Sequence, residues 1–139
     1  MMRSDPTATE TAPSLRCFLV EDSEVIRHNL IAMLEEMLAM QVIGSAEDEA
    51  GALDWLMHAD RPCDIMFIDI FLKTGTGIAV LKQARQRWPT VKLVVLTNYD
   101  TPEMRRHCLS LGADRVFDKS RELEDLILYC SELPPPVAH

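Results

Sequence analysis

A chain of 139 residues is long enough for one domain with a buried core and too short for two comfortable ones. Hydrophobic content of 47% and charged content of 26% suit an ordinary globule, and a formal charge of −8 lacks the basic face a nucleic-acid surface needs to neutralise phosphates. No apolar stretch approaches membrane-spanning length, and the polar start from Met1 to Ser14 has no signal-peptide core, so a cytoplasmic protein with neither nucleic acid nor membrane as partner is expected.

Residues 1–14, with Pro6 and Pro13, read as a disordered leader. The first β-rich run covers about 15–20 and ends in the acid pair Glu21-Asp22. Ser23 then suits the N-cap of a helix over 23–39, whose apolar stripe is Val25, Ile26, Leu30, Met33, Leu34, Met37 and Leu38. A strand at 41–46 leads to a helix at about 48–58 carrying Leu53, Leu56 and Met57, weakened by Gly51. The acids Glu47-Asp48-Glu49 at its start suit the positive end of a helix and suggest no other role. The third strand, 64–69, closes on Asp69, and a helix over 76–87 stops before Pro89. A strand at 91–96 closes on Thr97. Thr101-Pro102-Glu103 opens the next helix, with a capping threonine and proline at the first helical position, and Gly112 ends it. The last strand, 115–118, is followed by Lys119. Ser120 is expected to cap a helix bearing Leu123, Leu126, Ile127 and Tyr129, and 132–139, with three consecutive prolines, reads as a frayed tail.

Strand and helix alternate five times, which argues for a parallel sheet covered by helices on both faces. Right-handed crossovers bring all strand C-terminal ends to one side, where ligands bind at the point of strand-order reversal. Glu21, Asp22, Asp69, Thr97 and Lys119 then gather at one sheet edge. Three carboxylates, a hydroxyl and an ammonium suit a divalent cation and a phosphoryl group. His28, His58 and His107 fall in separate helices and His139 in the tail, so no histidine metal cluster is expected. Trp55 and Trp88 read as packing residues. Cys17, Cys63, Cys108 and Cys130 show no C-x-x-C spacing and read as buried or semi-buried free thiols.

These residues in this order resemble the receiver domain of two-component response regulators, over about 15–131. The acids, Thr97 and Lys119 are joined by Ile70-Phe71-Leu72 and Gly77 after Asp69 and by Leu111-Gly112-Ala113-Asp114 before the last strand. The resemblance implies a flavodoxin-like (βα)5 three-layer sandwich with strand order 2-1-3-4-5. It implies that Asp69 is the phosphoacceptor, that Glu21, Asp22, Asp69 and the backbone carbonyl of Phe71 serve Mg²⁺, and that Thr97 and Lys119 bind phosphoryl oxygens. The implied protein is a stand-alone receiver rather than an enzyme acting on other molecules. It takes its phosphoryl group from a sensor histidine kinase or a histidine phosphotransfer protein, and signals to a further protein, as a direct regulator or a phosphorelay intermediate.

Four positions depart from the family pattern. Val116 stands where an aromatic usually reports phosphorylation, which moves such a switch to Tyr99 or Phe117 or removes it. Ser120 replaces the proline that favours a cis bond after the lysine. Lys73 also replaces a common proline, and Asn98 a small residue. A flavin carrier of this architecture would need a glycine- and hydroxyl-rich phosphate loop where Glu21-Asp22-Ser23-Glu24 stands. A phosphohydrolase of the Asp-x-Asp type would need a second acid at Phe71. A phosphorylation-independent adaptor is the remaining alternative, suggested by Val116.

Overall fold

Five strands, β1 (Arg16–Val20), β2 (Gln41–Ala46), β3 (Ile65–Asp69), β4 (Lys92–Thr97) and β5 (Arg115–Asp118), pair in parallel in the order β2-β1-β3-β4-β5. The helices between and after them are α1 (Glu24–Ala32), α2 (Glu49–His58), α3 (Gly77–Arg87), α4 (Pro102–Ser110) and α5 (Leu123–Ser131). The computed structural model describes residues 14–60, 62–98 and 101–134, so the expected leader before Ser14 and the tail beyond Pro134 lie outside the described residues.

Alternation along the strands sorts the side chains into two cores. Phe18, Val20, Met66, Ile68, Leu93, Val95 and Val116 face Ala52 and Leu56 of α2, Val80, Leu81 and Ala84 of α3 and Cys108 of α4. Cys17, Leu19, Ile65, Phe67, Val94, Leu96 and Phe117 face Leu30 of α1 and Leu126 and Cys130 of α5. β3 is buried along its whole length, as a central parallel strand covered on both faces must be. This is the three-layer arrangement and strand order expected from the resemblance. Trp55 stacks on Phe18 with ring centroids 3.8 Å apart and meets Trp88 edge-on at 5.4 Å, so both tryptophans pack.

Ser23 and Thr101 cap their helices as expected, and Asp48 and Thr76, which fall inside the helix ranges expected from sequence, are caps as well. The side chains of Ser23, Asp48, Thr76 and Thr101 each accept a backbone N–H at a helix N-terminus. Gly112 leaves α4 with φ of +111°, the left-handed turn only glycine adopts without strain. Ser120 does not cap α5. Its hydroxyl donates to Asp118 Oδ1 at 2.7 Å, and the same oxygen takes the N–H groups of Ser120 and Arg121, so a turn intervenes before the helix begins. Glu132 and Leu133, expected in the tail, close α5, and Leu133 packs on the second core.

The helix expected over 23–39 changes character. After Ala32 it widens into a π-helical turn, Met33–Met37, and Ala39 turns the chain at φ of +53°. The extra residue buries Leu34 and lets Met40 N–H reach Leu34 O at 2.9 Å. Val25 and Met37, assigned to the buried stripe, are 70% and 65% exposed, and Met57 of α2 is 73% exposed with Ala52 inside instead.

All four cysteines are buried and none forms a disulfide. Burial pushes the thiols of Cys17, Cys63 and Cys130 up to about 12, so they stay protonated and poorly nucleophilic at neutral pH. Iodoacetamide is therefore expected to leave the native protein unmodified over minutes and to alkylate all four thiols in guanidinium, read by intact mass. Rapid stoichiometric labelling of the native protein would contradict the packing.

Candidate functional site

β1 and β3 are neighbours although β2 lies between them in sequence, so the chain leaves them in opposite directions and opens a crevice at their C-terminal ends. Glu21 enters it from the end of β1. Its N–H continues the sheet to Ala46 O at 2.9 Å, and its side chain is wholly buried. Asp69 closes β3 at 3% exposure, beside Leu96, and Thr97, fully buried, is the next residue of β4. Lys119 follows β5, tied to β4 by its N–H to Thr97 O at 2.9 Å.

The Lys119 ammonium lies 2.7 Å from Glu21 Oε1 and 3.2 Å from Asp69 Oδ2. Two buried carboxylates without a cation would carry a large desolvation cost, and one lysine neutralises part of both. The remaining oxygens are also engaged. Glu21 Oε2 accepts Ser23 N–H at 3.0 Å, and Asp69 Oδ1 accepts Phe71 N–H at 3.1 Å. Asp22 stands half-buried at the rim, where its Oδ2 accepts Lys73 N–H at 2.8 Å. Arg27 of α1 donates to Glu21 O at 3.0 Å and fixes the backbone of the acid pair, a contact the sequence pattern did not suggest.

Burial pushes the Asp69 carboxyl up to about 6, against the pull of the Lys119 ammonium and with added repulsion from Glu21. Burial alone would lower Lys119, but its bonds to Glu21 and Asp69 outweigh it and hold the ammonium above its usual range. One carboxylate oxygen each from Glu21, Asp22 and Asp69 lie within 4.8 Å of one another. Such an all-oxygen donor set fits a hard divalent cation that keeps several waters. Phe71, the expected carbonyl ligand, pairs across the loop with Thr76 and is 45% exposed as a residue.

Val116 is buried against α2–α4 and Phe117 in the opposite core, while Tyr99 lies outside the described residues. Arg105 of α4 donates to Val116 O at 2.8 Å and pairs with Glu122 at 2.9 Å. No cis peptide bond occurs among the described residues, so Lys119–Ser120 is trans. A cavity of about 290 Å³ between α1 and α5 opens beside Lys119, lined by Ile26, Asn98, Phe117 and Leu123 among others. No helix among the described residues is long and apolar enough to cross a membrane.

A family model described as the response regulator receiver domain matches residues 17–130. Among curated proteins, the chain is 31% identical over 99 residues to the DNA-binding transcriptional activator DevR/DosR of Mycobacterium tuberculosis, covering 71% of this chain and 45% of that one. The chain spans about half the length of the curated relatives it matches. Among solved structures, the response regulator domain of Thermotoga maritima CheB superposes with a TM-score of 0.72 at 20% identity, over 88% of this chain and 99% of that one. A Burkholderia pseudomallei response regulator with a phosphorylated aspartic acid, a calcium ion and citrate superposes with a TM-score of 0.72 at 19% identity, over 82% and 65% respectively. At these identities the superpositions establish a shared fold.

Proposed function

This chain belongs to the response regulator receiver domain family, and from that premise we propose that Asp69 accepts a phosphoryl group from a sensor histidine kinase or a histidine phosphotransfer protein. The observation that carries this reading is the convergence of Lys119 on Glu21 and Asp69 beside the oxygen trio. A carboxylate oxygen of Asp69 attacks phosphorus, the donor's bond to phosphorus breaks, and an acyl phosphate results. Lys119 holds charge next to the entering group, and Thr97, one residue past the strand partner of Asp69, offers a hydroxyl to a phosphoryl oxygen. Glu21, Asp22, Asp69 and the carbonyl of Phe71 would hold Mg²⁺, which when bound neutralises the trio and the phosphoryl oxygens.

The Burkholderia relative, carrying a phosphorylated aspartic acid and a divalent cation, supports both assignments. The only catalysis proposed is of the chain's own phosphorylation and a slow loss of that group. The output is contact with a downstream protein from a cytoplasmic receiver. The second reading, an adaptor indifferent to phosphorylation, is favoured by one observation, the valine at position 116.

Incubation with acetyl phosphate and Mg²⁺ separates the two. The receiver reading expects one added phosphoryl group by intact mass, absent in EDTA. An unlabelled chain under both conditions leaves the adaptor standing.

A further inference from the structure

The loop of residues 70–76 carries Phe71 and is fastened on two sides. Toward the acids, Phe71 N–H donates to Asp69 Oδ1 at 3.1 Å and Lys73 N–H to Asp22 Oδ2 at 2.8 Å. Away from them, Thr76 N–H donates to Glu49 Oε1 at 2.8 Å, and the N–H of Glu49 itself donates to Thr74 O at 3.3 Å. Between these bonds the loop backbone lies directly on the Glu49 side chain. Gly75 has φ of +83°, and a Cβ there would come within 2.6 Å of Glu49 Oε1. An antiparallel bridge joins Phe71 to Thr76, so the limb held by Glu49 and the limb facing the acids move together.

Glu49 therefore does more than suit a helix N-terminus. Its carboxylate is half-buried at the first position of α2 and accepts a charge-assisted bond from a backbone 27 positions away. We propose that Glu49 is a positioning residue for the divalent cation. It clamps the Thr74–Thr76 limb and, through the bridge, presets the Phe71 carbonyl beside Glu21, Asp22 and Asp69. Glu49 does not touch the ion. Its contribution is preorganisation, because a loop already in its bound shape loses less freedom when the ion arrives. The inference rests on the Mg²⁺ role given to the acid trio above.

Calorimetric titration of Mg²⁺ into the full chain tests it, with wild type, Glu49→Ala, Glu49→Asp and Glu49→Gln compared and melting temperatures recorded in EDTA. Losing one charge-assisted bond should weaken Mg²⁺ binding by about fivefold to tenfold in Glu49→Ala. Glu49→Asp keeps the charge but is too short to reach Thr76, so it should be weakened alike, and it covers the case in which the alanine variant does not fold. Glu49→Gln keeps an oxygen acceptor and should stay within about twofold of wild type. A lowered melting temperature in EDTA with unchanged Mg²⁺ affinity in Glu49→Ala or Glu49→Asp would make the clamp structural only and overturn the proposal. A wild type that binds no Mg²⁺ would overturn the cation reading itself, a result distinct from unchanged affinity in the variants.

Discussion

Asp69→Asn is expected to take up no phosphoryl group from acetyl phosphate in Mg²⁺, a loss of about 10³-fold or more in labelling rate. An amide oxygen is a far weaker nucleophile than a carboxylate, and Asp69 is the carboxylate that closes the central strand β3, buried and 3.2 Å from Lys119. Glu21 is equally buried and also bonded to Lys119, so it is the residue that would take the label if Asp69 were not the acceptor. Labelling of the asparagine variant at the wild-type rate would move the phosphoacceptor elsewhere.

The same variant should reveal the electrostatic state of the resting site. Asp69 is raised to about 6 from an ordinary value of 3.8, so between those values the folded chain holds a proton that the unfolded chain has lost. Stability from this group is therefore greatest at low pH and falls as pH rises through about 6. In EDTA, Asp69→Asn should melt above wild type at pH 7.5, and the gap should narrow toward pH 5 as Asp69 takes up its proton. Thermal denaturation followed by circular dichroism at several pH values measures the gap, and a gap that widens toward acid would reverse the sign.

Gly77→Ala should be among the most damaging single-methyl additions in the chain. Gly77 opens α3 immediately after the loop, and its N–H donates to Ile70 O at 3.0 Å. A Cβ there would overlap the carbonyl oxygen of Asp69, and would lie 2.8 Å from the carbonyl carbon of Asp69 and 2.9 Å from Ile70 Cα. All three are backbone atoms at the end of the most buried strand, so relief means moving α3 away from β3 and shifting Asp69. A cost of about 3 kcal/mol, or about 10 °C in melting temperature, is expected, together with weakened Mg²⁺ binding. Gly51→Ala is the control. It sits in the first turn of α2 against the movable Asp48 carboxylate at 3.1 Å and, at ordinary contact distance, Ala46 Cβ at 3.5 Å, and helix propensity favours alanine there, so a change within about 1 kcal/mol is expected. Equal effects at the two positions would show that the approach of α3 to Asp69 is not what excludes a side chain.

What the sequence disclosed follows from the range of the forces involved. Ser23 and Thr101 were legible as caps because the bond each makes spans only three residues; Asp48 and Thr76 cap in the same local way but stand as the first residues of the helices expected from sequence. The β-rich runs were legible for a similarly local reason, although the sorting of Phe18 and Val20 from Cys17 and Leu19 onto opposite faces came with the structure. The gathering of these side chains was legible because parallel topology brings strand ends together, even though Lys119 and Glu21 are 98 positions apart. Contacts that depend on how separate elements pack were not legible. The Glu49–Thr76 bond needs α2 to lie against the loop after β3, and Arg27 reaching Glu21 O needs the entry angle of α1. Val25 and Met37 looked like stripe residues because periodicity gives an angular position but not how far the sheet extends to meet it. The π turn after Ala32 then re-phased the rest of that helix. Ser120 carried the right side chain for a cap, but Asp118 competed for it successfully.

The ammonium between Glu21 and Asp69 gives the acidic centre a cation of its own. A small domain whose acidic centre depended on an imported ion would unfold whenever that ion was withdrawn, as zinc-stabilised modules do. Here the balancing charge is covalently part of the chain. On the proposed reading, a divalent ion would share the carboxylates with a cation already in place, so its arrival would not have to be felt as folding. On that reading the architecture separates endurance from readiness: the lysine's charge is always present, while the ion that would prepare the site for a phosphoryl group comes and goes.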